Sequence, residues 1–210
     1  MIGDLLLIGE KHEKATAEIL KKLEGVTLKN YVIAVGGESG TGKSEIAYLL
    51  RMAFKKRGIR SKIIHTDNYY KTKPDERTEW RQSNGIKESV GLNEYNWELI
   101  NRHILDFRNK TAEVTLPFLD IVTEQEDRLT TSFKYIDVLV LEGLYAVNAE
   151  ADFRVLIDMT YHDTKDAQKL RGKEPQNQYR AQVLEAEHAS VRSIRGKADL
   201  LISKKIMGLD

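Results

Sequence analysis

The feature of this sequence that most constrains its fold is the octet Gly37–Ser44, which reads Gly-Glu-Ser-Gly-Thr-Gly-Lys-Ser. It matches the phosphate-binding pattern G-x-x-x-x-G-K-[ST], which works at a turn from a strand into a helix. The flanking residues meet that requirement. Tyr31–Val35 is a short apolar run rich in β-branched residues, and Ile46–Lys56 carries apolar residues at helical spacing. The sequence therefore predicts a loop that binds ATP, or another nucleoside triphosphate, together with Mg²⁺.

The chemistry of phosphate binding gives each part of this loop a role. Gly40 and Gly42 let the backbone N–H groups turn inward around an anion, and the following helix N-terminus adds partial positive charge. Lys43 is expected to reach the β- and γ-phosphates, and the Ser44 hydroxyl to bind Mg²⁺. The candidate nucleotide-binding residues are Gly37, Glu38, Ser39, Gly40, Thr41, Gly42, Lys43, Ser44 and Glu45.

Two acidic residues follow predicted strands. Glu142 directly follows the apolar run Val138–Leu141, and Asp67 comes shortly after the predicted strand Ser61–His65. Ligands of open α/β sheets bind at the carboxyl ends of the strands. Glu142 is therefore predicted to bind magnesium together with Ser44. For both acids the alternative is a role in a turn or a helix cap only.

Strands and helices alternate along most of the chain. The further predicted strands are Ser61–His65, Ala112–Leu116, Ile136–Leu141, Arg154–Ile157 and Asp199–Ser203, and the predicted helices are Glu10–Leu23, Ile46–Lys56, Trp97–Phe107, Asp163–Leu170 and Gln178–Arg195. This alternation predicts an α/β fold with a mostly parallel sheet and right-handed crossovers. With the phosphate-binding loop, it predicts a P-loop NTPase three-layer sandwich.

Composition argues against several other classes of protein. Lysine and arginine total 33 against 32 acidic residues, so no overall field draws the protein to nucleic acid. The absence of cysteine excludes disulfides, thiolate zinc sites and cysteine nucleophiles. The apolar run Leu5–Ile8 is too short for a signal segment, and no run approaches the roughly 20 residues of a membrane span. We therefore expect a soluble cytoplasmic protein without nucleic-acid or membrane partners, and a homo-oligomer remains open.

Several segments, taken in order, resemble the uridine kinase and phosphoribulokinase group of P-loop kinases. They are Gly36–Ser44, Asp67–Tyr70 and Leu141–Gly143, with weaker similarity at Leu116–Asp120 and Ala198–Ile202. The resemblance covers most of the chain. It implies a Mg-ATP-dependent kinase that phosphorylates a hydroxyl group of a small metabolite.

The resemblance also implies roles at the acceptor side of the site. Asp67 would be catalytic, because a carboxylate can orient the acceptor hydroxyl and accept its proton. Tyr70 would line the acceptor pocket, although it could equally pack its loop onto the core. Arg128 is a further candidate, with an ion pair to Asp127 or Glu124 as the alternative. The candidate acceptor-binding residues are Asp67, Tyr70, Asp120 and Arg128.

In this family a lid carries several arginines that cover the triphosphate. The corresponding region, 162–177, offers Lys169, Arg171 and Lys173. Arg171 is predicted to be the third catalytic residue, in addition to Lys43 and Asp67. Lys169 and Lys173 fit an exposed basic helix end better. The lid is therefore expected to be short.

This sequence departs from the family's pattern where the nucleoside would bind. Nucleoside kinases of the family carry a His-Ser-Arg triplet here, whereas this chain has acids at Glu124 and Glu126. The usual His-Pro step before the tryptophan-containing helix is also missing from Asn93–Trp97. These departures predict an acceptor that is neither a pyrimidine nucleoside nor a phosphorylated sugar. A neutral polyol or a cationic amino alcohol fits the charge better.

The expected organisation is a single kinase domain, 1–210, with an N-terminal strand/helix extension (1–29), an acceptor-side insert (68–96) and the lid (162–177). Two other functions stay open. An NTP-hydrolysing switch would need partner-facing loops, and the sequence has no guanine-specifying Asn-Lys-x-Asp motif. A nucleotide-binding regulatory module without an acceptor is the second alternative, suggested by the departures after Pro117.

Overall fold

The structure is a computed structural model that describes residues 6–120, 123, 125–166, 168 and 177–209. Its strands, in chain order, are β1 (Tyr31–Gly37), β2 (Ser61–His65), β3 (Val114–Asp120), β4 (Gln125–Thr131), β5 (Val138–Glu142), β6 (Phe153–Ile157) and β7 (Leu200–Ile202). Five of them form one parallel sheet in the order β2-β5-β1-β6-β7. The strand that leads into the glycine-rich loop, β1, is therefore central.

Helices cover both faces of this sheet. The described α-helices are α1 (Glu10–Lys22), α2 (Lys43–Lys56), α3 (Pro74–Ser83), α4 (Ile86–Ser89), α5 (Trp97–Arg108), α6 (Gln178–Ile194) and α7 (Lys204–Met207), of which α3 and α4 belong to the insert. The side chains of α1, α2 and α7 share one hydrophobic core with the sheet, and those of α5 and α6 share another on the opposite face. This arrangement confirms the predicted three-layer α/β fold.

The central strand shows why its sequence is apolar on both sides. Val32 and Ala34 belong to the core on the α5 side, whereas Ile33 and Val35 belong to the core on the α2 side. All four side chains are fully buried. A strand between two helical layers has no solvent face, so its sequence reads as a continuous apolar run.

The predicted strand at Ala112–Leu116 corresponds to β3, which starts two residues later and lies outside the parallel sheet. It pairs antiparallel with β4, from Val114 opposite Thr131 to Asp120 opposite Gln125. No strand is predicted at β4 from the sequence, because its residues are polar and most are exposed. Without a buried face, such a strand lacks the alternation that marks strands in a sequence.

The insert 68–96 contains more regular structure than its weak periodicity predicts. It includes α3, α4 and two 3₁₀ turns. Pro74 occupies the first turn of α3, where its missing N–H costs no hydrogen bond. Inside the insert, buried Arg81 forms a two-bonded ion pair with Glu94, at 2.6 and 3.1 Å. A charged pair thus takes the place of an apolar contact inside the insert. The sequence of the insert therefore shows only weak helical periodicity of apolar residues.

The two ends of the insert are joined at its base. The Lys71 N–H donates to the Glu94 carbonyl at 2.8 Å, and the Asn96 N–H donates to the Tyr69 carbonyl at 2.8 Å. Between them, the rings of Tyr70 and Tyr95 lie 4.3 Å apart. The segment between these positions is therefore a loop closed at its base, and its helix α4 also contacts α6.

The N-terminal extension contains α1, which packs into the hydrophobic core on the α2 side of the sheet. Ala15, Ile19 and Leu23 are buried in the same hydrophobic core as α2 and α7. Residues 6–9, which precede α1, form no strand. Within the described ranges of the chain, no helix has the length and apolar character needed to span a bilayer.

Candidate active site

The glycine-rich loop connects β1 to α2 in the conformation that an anion-binding loop requires. Gly40 and Gly42 have φ angles of 77° and 94°, values that side-chain-bearing residues rarely adopt. A Cβ atom at Gly42 would lie 2.5 Å from two ring atoms of His12, so a side chain there is also excluded by contact. The loop ends where α2 begins at Lys43, which places the helix N-terminus behind it.

Lys43, Ser44 and Glu142 converge at the carboxyl end of the central strands. The Lys43 ammonium donates to the Glu38 carbonyl at 2.9 Å, within the loop itself. The Ser44 hydroxyl donates to Glu142 Oε1 at 3.2 Å. Thus the predicted magnesium-binding pair lies within one hydrogen bond. Glu142 is only 3% exposed.

Glu142 is held ionised by its neighbours. Burial alone would raise the pKa of this carboxyl, but the hydrogen bond and charge of His65, with the charge of Lys43, lower the pKa to about 2. His65 Nδ1 lies 2.5 Å from Glu142 Oε1, and the two residues are direct partners in the β2–β5 register. A hard cation prefers such an ionised oxygen ligand.

The charge and ligand types fit Mg²⁺ bound together with a nucleotide. In the described portion of the chain, no cluster of three or more His, Asp or Glu residues could hold a metal by itself. Mg²⁺ commonly uses one or two carboxylates and completes its shell with phosphate oxygens and water. The Ser44 hydroxyl and the Glu142 carboxylate are oxygen ligands of that kind.

Asp67 lies at the same edge of the sheet, on the 3₁₀ turn that follows β2. Its Oδ1 accepts a hydrogen bond from the Tyr95 hydroxyl at 3.2 Å. Burial, and next the charge of Glu142, raise the pKa of Asp67, while Lys43 opposes that rise. The carboxylate is therefore close to the phosphate-binding residues and has a stronger affinity for a proton than an ordinary aspartate.

Gly143 permits this close approach of the two acid-bearing segments. Its φ is 156°, and a Cβ atom there would overlap the hydroxyl of Thr66. The turn with Asp67 therefore rests directly on the backbone after Glu142. Any side chain at Gly143 would push the two segments apart.

A cavity of about 490 Å³ opens beside Asp67. The turn after β2, the insert, α5 and the β3–β4 hairpin all contribute to its walls. The lining residues are Asp67, Asn68, Tyr69, Tyr70, Arg77, Asn96, Leu99, Thr115, Pro117, Phe118, Leu119, Glu126, Asp127 and Arg128. Its position next to the candidate base makes it the natural place for an acceptor.

Tyr70 both lines this cavity and packs its loop. Its ring packs against that of Tyr95, with the two ring planes tilted by 37°, and the guanidinium of Arg77 lies 3.5 Å from its ring centre. Arg77 also donates to the Thr72 carbonyl at 3.2 Å. The two interpretations of Tyr70 are thus compatible, because a wall residue must itself be held in place.

Of the two candidates on the hairpin, Arg128 is among the described residues that line the cavity. Arg128 forms no ion pair with Asp127 in the structure, and Glu124 lies outside the described residues. Asp120 Oδ1 accepts from the Thr123 N–H at 3.4 Å, and Asp120 is not among the described residues that line the cavity. Of the two hairpin candidates, Arg128 is the one positioned to meet an acceptor.

The start of the predicted lid rests on the glycine-rich loop. The Tyr161 N–H donates to Glu38 Oε2 at 2.7 Å, and the Thr164 hydroxyl donates to the Ser39 carbonyl at 2.7 Å. On the other side of the same carboxylate, His188 Nδ1 lies 2.7 Å from Glu38 Oε1. The predicted lid contacts Lys169, Arg171 and Lys173 lie outside the described residues.

Two acidic residues among the nucleotide-binding candidates, Glu38 and Glu45, use their carboxylates for contacts within the protein. Glu38 joins the loop to the lid base and to α6, as described above. Glu45 is 1% exposed, and its Oε1 accepts from the Leu7 N–H at 3.2 Å. For these two nucleotide-binding candidates, the backbone amides are the groups suited to a phosphate.

Sequence reasoning missed several residues that shape this site. His65 and Tyr95 bond directly to Glu142 and Asp67, and Asn68 Oδ1 accepts from the Leu119 N–H at 3.2 Å, tying the hairpin to the turn. The position of His65 at the end of a predicted strand indicates that it lies at the edge of the sheet where the site is expected. Its contact with Glu142 follows only from the strand order, in which β2 and β5 are neighbours.

Comparison with known proteins agrees with this geometry. Residues 32–186 match the model of the Phosphoribulokinase / Uridine kinase family. The chain is 29% identical over 133 residues to the uridine kinase of Ureaplasma parvum, covering 60% of this chain and 61% of that protein. It is 24% identical over 193 residues to the uridine kinase of Staphylococcus aureus, covering 81% and 86% of the two chains.

The fold has its own counterpart among solved structures. A possible uridine kinase from Bacillus stearothermophilus superposes with a TM-score of 0.65 at 18% identity, over 92% of this chain and 99% of that one. This likeness concerns the fold. The chain spans about three fifths of the length of the Ureaplasma relative. Because the family model matches well over half of its residues, the chain belongs to the Phosphoribulokinase / Uridine kinase family.

Proposed function

We propose that this protein is a Mg-ATP-dependent phosphotransferase that phosphorylates a hydroxyl group of a small metabolite. One observation carries the proposal: Asp67 lines the 490 Å³ cavity, and its carboxylate interacts electrostatically with Lys43 and Glu142. A hydroxyl group of an acceptor in the cavity would therefore lie beside the Asp67 carboxylate and close to the phosphate-binding residues. Transfer requires that arrangement, because the attacking hydroxyl must approach the phosphoryl group in line.

Each residue has a role that its surroundings support. The loop amides and Lys43 hold the phosphates, and Ser44 with Glu142 hold the cation. When bound, Mg²⁺ supplies positive charge that offsets the charge of the phosphate oxygens. Asp67 orients the acceptor hydroxyl and takes its proton, and its raised pKa suits that task. Tyr95 fixes one carboxylate oxygen and leaves the other for the acceptor.

The charge of the cavity bears on the class of acceptor. Its lining includes three acids, Asp67, Glu126 and Asp127, against two arginines. One of these arginines, Arg77, is already engaged with Tyr70 and the loop backbone. A neutral polyol or a cationic amino alcohol suits this balance better than a phosphorylated sugar. The named relatives are uridine kinases, so uridine is the compound against which this proposal is first tested.

A coupled assay of ADP formation tests the proposal directly. The purified protein is incubated with Mg-ATP and, separately, with uridine, cytidine, sugars, polyols, amino alcohols and phosphorylated sugars. We expect ADP formation that depends on one acceptor class and falls roughly 10²–10⁴-fold in Asp67→Asn. ATP hydrolysis that no acceptor stimulates would favour the switch instead, and binding without turnover would favour a regulatory module.

A further inference from the structure

The carboxylate of Glu142 is held through one of its two oxygens. Both hydrogen bonds that the structure describes for it meet Oε1: the Ser44 hydroxyl donates at 3.2 Å, and His65 Nδ1 lies at 2.5 Å. The Glu142 side chain is 4% exposed, and that of His65 is 24% exposed. The second oxygen, Oε2, is therefore the one left for a cation beside the phosphate-binding loop.

The order of the strands brings these two partners to Glu142 from opposite sides. His65 is the last residue of the edge strand β2 and pairs in register with Glu142, the last residue of β5. Ser44 lies in the first turn of α2, after the loop that follows β1. Because β5 lies between β2 and β1, the carboxylate is held from both neighbouring strands. Its orientation is therefore set by the sheet.

The direction of the hydrogen bond with His65 follows from the charge of its partner. An ionised carboxylate such as that of Glu142 can only accept hydrogen bonds. The proton of this bond is therefore on His65 Nδ1, which donates to Oε1. A hydrogen bond to an ionised group is stronger than one between neutral groups. His65 thus commits one of the two oxygens of Glu142 to a contact within the protein.

A committed oxygen limits what Glu142 can offer a cation. Ca²⁺ takes about six to eight oxygen ligands and can bind both oxygens of one carboxylate. Mg²⁺ demands near-octahedral geometry and keeps several of its waters, so it needs less from the protein. A carboxylate that presents one fixed oxygen suits Mg²⁺ and withholds a ligand from Ca²⁺.

We propose that His65 is a positioning residue that limits Glu142 to one oxygen ligand and so makes the site prefer Mg²⁺ over Ca²⁺. The inference rests on the proposed binding of Mg-ATP and deepens it, because it assigns the choice of cation to a residue that acts through Glu142. Without His65, the carboxylate can turn and present both oxygens, and the larger cation gains a ligand.

The test compares cations on the same nucleotide. Titration calorimetry on the full chain measures Kd for ATP with Mg²⁺, with Ca²⁺ and without a divalent cation. The wild-type protein is expected to bind Mg-ATP more tightly than Ca-ATP. In His65→Ala the ratio of Kd for Ca-ATP to Kd for Mg-ATP should fall about 3–10-fold, the contribution of one hydrogen bond, with metal-free ATP binding nearly unchanged. An unchanged ratio, or a wild-type protein without preference, overturns the inference.

Two further variants at the same position separate the hydrogen bond from the packing of the ring. His65→Asn places an amide N–H close to the position of Nδ1 and should retain most of the wild-type ratio. His65→Leu keeps an apolar side chain of similar size but has no donor, so it should show the same fall as His65→Ala. A ratio in His65→Asn as low as in His65→Leu contradicts the assigned hydrogen bond.

The control is a pair at the opposite ends of the same two strands. Arg60 and Asp137 directly precede β2 and β5, and their charged groups lie 3.8 Å apart. Arg60→Ala should leave all three affinities unchanged, and a shifted ratio there would contradict a local role for His65. Equal losses of all three affinities in His65→Ala would show a structural role only. Failure of the wild-type protein to bind ATP under any condition would instead refute the proposed function.

Discussion

The phosphate half of the site and the acceptor half are built on different kinds of structure. Glu142 ends a strand that is buried between two helical layers, and Lys43 and Ser44 begin the helix that follows the loop after another such strand. The acceptor cavity is lined mainly by the insert and by the β3–β4 hairpin, and β4 is almost entirely exposed. The first half is placed by the core of the protein, and the second by segments attached to it.

This difference teaches where each kind of change can be tolerated. A side chain on a buried strand end has little freedom, because any shift disturbs the sheet and both cores. Loops attached to a rigid scaffold vary readily and carry specificity. We therefore expect changes in the phosphate half to affect turnover with every acceptor, and changes in the acceptor half to affect only the choice among acceptors.

The largest effect is expected from Lys43→Ala. Loss of this cation should lower turnover on the order of 10³–10⁵-fold, by analogy with the effect of an arginine finger on a transferring phosphoryl group. The fold should persist, since the ammonium contacts the loop and fills no core space. Turnover and circular dichroism are measured on one preparation. Lys55→Ala, exposed on the same helix, is the matched control; wild-type turnover in Lys43→Ala contradicts the proposed site.

Asp67→Asn connects the two halves of the site. If Asp67 accepts the proton of the acceptor, turnover should fall roughly 10²–10⁴-fold. Affinity for Mg-ATP should barely change, because the loop, Lys43 and Ser44 remain. A parallel loss of ATP binding would make Asp67 a metal ligand. A lower melting temperature with nearly normal turnover would make it a structural turn residue.

The pH profile gives a second readout for Asp67. Burial and Glu142 raise its pKa, and a base works only when deprotonated. Turnover of the wild-type protein should therefore fall as the pH decreases through a pKa above the ordinary aspartate value of about 3.9. The residual activity of Asp67→Asn should lack that acid limb. An unchanged limb in the variant assigns it to another group.

Glu142→Gln should weaken nucleotide binding mainly when Mg²⁺ is present. The substitution keeps the shape and removes the charge, so binding of ATP with Mg²⁺ should weaken about 10–100-fold. Binding of ATP without Mg²⁺ should change much less. Calorimetry under both conditions decides the matter, and equal losses would assign Glu142 a structural role only.

The smallest effect, and the sharpest test of the comparison, is expected from Glu126→Gln. This exposed acid lines the cavity. Its loss should change KM for the acceptor by about 2–5-fold, the scale of an exposed charge. KM for ATP and kcat should remain as in the wild type. A changed KM for ATP would show that the two halves are not independent.

The sequence predicted the phosphate half more fully than the acceptor half, and the reason is the range of the contacts. The loop roles follow from eight consecutive residues, and Glu142 and Asp67 follow from strand ends. His65 bonds to Glu142 across 77 positions, and Tyr95 to Asp67 across 28. Such pairs depend on strand order and on the path of the insert. Neither is expressed in local periodicity, and β4 carries no periodic signal at all.

The closed base of the insert lets the segment between its ends change in length without moving the sheet. The ends are fixed by the Lys71 and Asn96 hydrogen bonds and by the packed rings of Tyr70 and Tyr95. Loop closure entropy grows only with the logarithm of length, so added residues cost little on that account. The composition is less free than the length, because the buried Glu94 carboxylate depends on Arg81 and because α4 also packs against α6. An exchanged segment would have to supply both contacts in order to present a new acceptor to the same phosphate-binding residues.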